Sequence, residues 1–149
     1  MVNAPEGDGP GANPIFSHPM RVRYMEVDAQ HVVFNGWYLT YFDEAMAAFL
    51  ADRGLPYTTL LASGYDAQLV HTEVDWKSGL RWQDEFVVTV STAQIGHTSF
   101  ALDFETRCGS ETTCSARTVY VVVATDGSGK QPVPPALARA LGNGRPSPA

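Results

Sequence analysis

A lone carboxylate stands at Asp28, and seven residues later Asn35-Gly36 opens the aromatic run Trp37-Tyr38. An aspartate can take a proton from water or attack a carbonyl carbon itself. Backbone N–H groups at a helix start lack intrahelical partners and carry partial positive charge. Asn35 or Gly36 at such an end would offer an N–H to a carbonyl oxygen, and glycine, without a Cβ, lets a ligand approach the backbone. A base or nucleophile facing an oxyanion donor is a minimal acyl-transfer site. The competing role for Asp28 is a cap or an Asx turn. It lies too far ahead of the helix for a direct cap, a role that suits Asn35 better.

Positioning those groups falls to the elements around them. Residues 37–53 read as a helix: Tyr38, Tyr41, Phe42, Ala45, Ala48 and Phe49 share one broad side, and Leu39, Met46 and Leu50 widen it. Gly54 and Pro56 stop it. Ahead of the loop, alternation over residues 20–27 predicts a strand. A short irregular piece at 56–64 precedes strands near 67–77, 85–95, 99–107 and 112–124. Their short connections predict antiparallel neighbours, and a brief helix is expected within 132–139. The fold class is α+β, a curved antiparallel sheet of about five strands wrapping one long helix. Its open edge could pair with a second copy.

Composition narrows the class. The 149 residues form one domain over 15–141, with Gly- and Pro-rich tails at 1–14 and 142–149 expected to be disordered. A net charge of −6 with ten basic residues argues against nucleic acid as a partner. No apolar run is long enough to cross a membrane, and no secretory signal opens the chain, which suggests a cytoplasmic location. Cys108 and Cys114 flank a turn and read as reduced structural thiols. Alternation puts His71, Glu73 and Asp75 on one strand face, more simply a solvated set than a metal site, so no metal is expected. His97 is a turn residue, and Glu44 is a reserve carboxylate on the helix.

The residues Arg21-Val-Arg-Tyr-Met-Glu-Val-Asp28-Ala-Gln-His-Val-Val33, with Tyr38-Leu-Thr-Tyr-Phe-Asp-Glu-Ala45, resemble the hotdog-fold acyl-CoA thioesterases of the 4-hydroxybenzoyl-CoA thioesterase type. The resemblance extends over roughly residues 18–135, through 79–84, His97-Thr-Ser-Phe100 and Pro132 to Pro135. It implies hydrolysis of an acyl- or aryl-CoA thioester, with Asp28 as nucleophile or general base. The backbone N–H of Asn35, with Gly36 beside it, would polarise the thioester carbonyl. It also implies a homodimer joined edge to edge, sites between protomers, and association of dimers into tetramers. No cofactor is expected, coenzyme A being part of the substrate.

Two departures stand out, since many relatives carry Gly at the position of His31 and some carry His at that of Asn35. His31 either narrows the site or only covers the loop. Trp37, Tyr38 and Tyr41 are expected in core and pocket wall, and Tyr24 and Met25, on the first strand, beside the acyl group. Lys77, Arg81 and Arg107 are candidate cations for the phosphates of CoA. The rivals are a hydratase or dehydratase of the same fold and a non-catalytic module that binds an acyl or other apolar ligand.

Overall fold

The computed structural model describes residues 15–142 and 145–146, so the tails expected at 1–14 and 142–149 lie almost wholly outside the described residues. Strand β1 (Phe16–Arg21) runs through a 3-10 turn at Tyr24–Glu26 and the Asp28 loop into helix α1 (Trp37–Asp52). A short helix α2 (Tyr57–Ala62) precedes β2 (Tyr65–Trp76), β3 (Glu85–Ile95), β4 (Ser99–Cys108) and β5 (Glu111–Ala124). Helix α3 (Pro135–Leu141) and the two-residue β6 (Arg145–Pro146) follow. The main sheet has the order β1-β3-β4-β5-β2 and is antiparallel, while β6 runs parallel beside β3.

Alternation builds the inner face of this curved sheet. Phe86, Val88 and Val90 of β3, Phe100, Leu102 and Phe104 of β4, and Ala116, Tyr120 and Val122 of β5 are buried. Helix α1 lays Tyr38, Tyr41, Phe42, Ala45, Met46, Phe49 and Leu50 against that face. Phe42 stacks on Phe104 with ring centroids 4.9 Å apart, and Tyr41 tilts over Phe86 at 5.0 Å. Each such large apolar side chain stabilises the fold by about 1.5–3 kcal/mol when fully buried. The helix stops where Gly54 takes φ +85°. There the N–H of Leu55 donates to the Leu50 carbonyl at 2.9 Å and that of Gly54 to Ala51 at 3.0 Å, a Schellman ending. Its outer side, with Leu39, Thr40, Asp43 and Glu44, is open, so the helix is wrapped on one side within a single chain.

Three expectations needed correction. The first strand ends at Arg21, and Tyr24 and Met25 lie on the 3-10 turn. The turn forms because the Glu26 carboxylate takes hydrogen bonds from the Arg23 backbone and guanidinium, folding the chain back on itself. Residues 57–62 are helical rather than irregular. Finally, β2 and β3 are not neighbours: β3 is paired on both sides, by β1 and β4, and β2 pairs with β5 at the opposite edge. The connection 77–84 therefore crosses the molecule, and it passes over the Asp28 loop.

Candidate active site

Between β1 and α1 the chain makes a compact loop closed by its own backbone. The N–H of Asp28 donates to the Val32 carbonyl at 2.9 Å, and the N–H of His31 donates to that of Asp28 at 2.9 Å. Asp28 Oδ1 accepts the Gln30 N–H at 2.8 Å, so the side chain does occupy an Asx turn. That bond uses one carboxylate oxygen. Among the described residues Oδ2 has no hydrogen-bond partner, so the turn orients the group without consuming it. His31 sits at φ 65°, in the left-handed region that a glycine would enter without strain.

The far end of the loop is fixed by two more backbone bonds. The Val33 N–H donates to the Leu80 carbonyl at 2.8 Å, and the Phe34 N–H to that of Glu26 at 2.9 Å. Gly36, not Asn35, is the N-cap of α1, and no side chain caps the helix. Gly36 has ordinary helical dihedrals, with φ −68°, and adopts the cap without a polar side chain. Among the described residues the N–H groups of Asn35 and Gly36 donate to nothing. The space over Gly36 is taken by the Phe34 ring, whose Cε1 would lie 3.2 Å from an added Cβ. Of the two, Asn35 lines the neighbouring groove and Gly36 does not.

The other wall of the groove is the end of β2 and the crossover that follows it. Asp28, Gln30, Val32, Val33, Asn35 and Tyr38 face Trp76, Lys77, Ser78 and Gly79 across a cavity of about 380 Å³. Gly79 permits the approach, because a Cβ there would stand 2.6 Å from Val32 Cγ1. The Lys77 and Ser78 N–H groups both donate to the Thr113 carbonyl, at 2.8 and 3.0 Å, which ties this wall to the sheet. Burial pushes the Tyr38 phenol up, so its hydroxyl keeps its proton beside the groove.

The structure therefore brings Asp28, Asn35, Tyr38 and Lys77 to one groove. His31, Gly36, Trp37, Tyr24 and Arg81 do not line it. Tyr24 is 74% exposed and meets Trp82 edge to face, and the Arg23 guanidinium lies over the Trp37 ring at 5.9 Å. Glu44 lies on α1 3.8 Å from His18, away from the groove. His71 and Glu73 meet on the exposed face of β2 at 3.4 Å. Among the described residues no three His, Cys, Asp or Glu side chains converge to hold a metal. Cys108 and Cys114 are both free thiols, and none of the described helices is long and apolar enough to cross a membrane. Ser78 and Gly79 were not legible as wall residues. A lone glycine just after a strand was the available signal, and only the crossover gave it meaning.

The chain matches known proteins on the same elements. A family model described as the thioesterase-like superfamily matches residues 22–141. A solved hypothetical protein from Aquifex aeolicus shares 25% identity at a TM-score of 0.81, covering 85% of this chain and 98% of that one. A gentisyl-coenzyme A thioesterase superposes at 0.78 with 22% identity, over 85% of this chain and 99% of the other. A 1,4-dihydroxy-2-naphthoyl-CoA thioesterase from Synechocystis gives 0.78 with 21% identity, over 86% and 96%. The helix and five-stranded antiparallel sheet are those of the hotdog fold.

Proposed function

This chain belongs to the thioesterase-like superfamily, and from that premise we propose that it hydrolyses an acyl- or aryl-CoA thioester to free acid and coenzyme A. One observation carries the reading: a carboxylate with an uncommitted oxygen and a helix-start N–H with no partner border the same groove. Asp28 takes a proton from water, and the resulting hydroxide attacks the thioester carbon while the Asn35 N–H holds the developing oxyanion. Collapse of the tetrahedral species expels the CoA thiolate, and the proton taken up by Asp28 passes to the thiolate or to solvent. In the alternative route Asp28 Oδ2 attacks the thioester carbon and displaces the CoA thiolate, and water then cleaves the mixed anhydride, releasing the acid and restoring the carboxylate.

The groove is sized for the thioester end of a ligand rather than the whole of CoA. Lys77 at its wall and Arg81 on the adjoining crossover supply positive charge for the phosphates outside it. The Asp-loop-Tyr pattern supports reading it as one of the 4-hydroxybenzoyl-CoA thioesterase type. The sheet edge at β2 is read as the seam of a homodimer, with tetramers built from dimers. Two free thiols suit a reducing compartment, and we assign the enzyme to the cytoplasm.

The test is release of free thiol from a panel of aryl, short, medium and long acyl-CoA substrates. Equimolar acid and thiol from at least one of them is expected. Hydration of an enoyl-CoA without thiol, or tight binding without turnover across the panel, would overturn the reading.

A further inference from the structure

We propose that Glu26 is a positioning residue that acts through Asp28: its buried carboxylate ties the entry of the Asp28 loop to helix α1, and its backbone carbonyl holds the exit. This rests on the reading of Asp28 given above. Glu26 is 1% exposed, the one acidic residue in the buried interior among the described residues. A buried charge is costly unless its lone pairs are satisfied, and here four donors converge on it. Oε1 accepts the Arg23 N–H at 2.8 Å and the Tyr41 hydroxyl at 2.9 Å. Oε2 accepts Arg23 Nε at 3.0 Å and Nη2 at 2.9 Å.

These bonds join three segments. Arg23 belongs to the turn entering the loop, and Tyr41 stands on the second turn of α1. The Glu26 carbonyl accepts the N–H of Phe34, the residue before Asn35. Asp28 follows two residues after Glu26, so one residue sets where both halves of the site lie. A mere space-filling role does not require a carboxylate, since apolar replacement of buried ion pairs is often neutral for stability. Glu26 does not line the groove, so it touches no substrate itself.

The chemistry of the clamp defines its test. Glutamine keeps the shape and can still accept from Tyr41, but its amide NH₂ faces the Arg23 donors, so Glu26→Gln breaks the Oε2 half. Tyr41→Phe removes only the helix link. Both variants and their combination are assayed for kcat, KM and the pH profile of thiol release. Amide hydrogen exchange at Phe34 is followed beside the β4 amides of Leu102 and Phe104.

Misplacing reacting groups by about 1 Å can cost on the order of 10²-fold, so Glu26→Gln should lower kcat by about 10- to 100-fold. KM should change far less, and the acid limb of the profile should stay where wild type has it. Exchange at Phe34 should quicken while the β4 amides hold. The double variant should lose little more than the worse single one.

Wild-type kcat with Phe34 protection intact in both single variants overturns the proposal. So does loss of the acid limb in Glu26→Gln, which would make Glu26 the base. Should Glu26→Gln fail to fold, Tyr41→Phe carries the same two readouts. If the wild-type chain releases no thiol, the functional reading fails, while the exchange comparison still decides the clamp.

Discussion

Asp28 owes its orientation to one short hydrogen bond, from the Gln30 N–H to Oδ1. Sequence alone offered catalysis or an Asx turn as alternatives; the turn is present, and it leaves the second oxygen open for the proposed chemistry. That Asp28 and Asn35 border one groove was legible from residue type and spacing. The burial of Glu26 was not, because alternation placed it on a strand. Its i,i+3 pairing with Arg23 was the missed signal.

Other titratable groups report on the fold rather than the chemistry. Burial pushes the Cys114 thiol up to about 12, and burial with the bond to Asp66 pushes the Tyr57 phenol up to about 12. For both, the folded chain holds a proton that the unfolded chain releases earlier. Their contribution is therefore intact below the ordinary values and is lost as pH climbs toward 12. Thermal unfolding followed across pH should show stability falling from about pH 9, the ordinary thiol value, upward. The Cys114 thiol should resist alkylation until the protein unfolds; ready labelling of the native chain at pH 8 would contradict its burial.

The elements hold the loop by contact as much as by hydrogen bonds. Strands β3, β4 and β5 were legible from alternation because one face meets α1 and the other meets solvent. Helix α2 was missed because six residues after a proline show too little period to read. The crossover 77–84 could not be placed because its path depends on which strands pair, a long-range outcome that local pattern does not encode. At Gly79 the crossover passes so close to Val32 that an added Cβ would stand 2.6 Å from Cγ1. Gly79→Ala should displace the loop, costing about 1–3 kcal/mol as overpacking does, with a fall in kcat. Combining it with Val32→Ala removes the clashing methyls and should restore most of the rate. A double variant as slow as Gly79→Ala alone would show that the contact does not govern the site.

For the whole molecule, the notable surface is the free edge of β2. Leu69, Val70 and Trp76 are 46%, 55% and 52% exposed there, on a strand edge left unpaired among the described residues. On the outer sheet face Arg117 makes a two-pronged pair with Asp103, at 2.7 and 2.9 Å, across β5 and β4. Pairing β2 with a second copy would cover the edge and bring the end of β2, with Trp76 and Lys77, close to the seam. Light scattering should give about twice the chain mass. Because charged residues on an edge block strand pairing, Leu69→Lys with Val70→Lys should yield monomers and reduced thiol release. A monodisperse wild-type monomer with full turnover would contradict the dimer.

The most direct measurement of the central claim is thiol release by Asp28→Asn beside wild type, on the best substrate of the panel. Removing a positioned base costs about 10²–10⁴ in rate, so turnover should fall by that factor while the circular dichroism spectrum and melting curve stay those of wild type. Turnover within a few-fold of wild type, in a folded Asp28→Asn protein, would contradict the account.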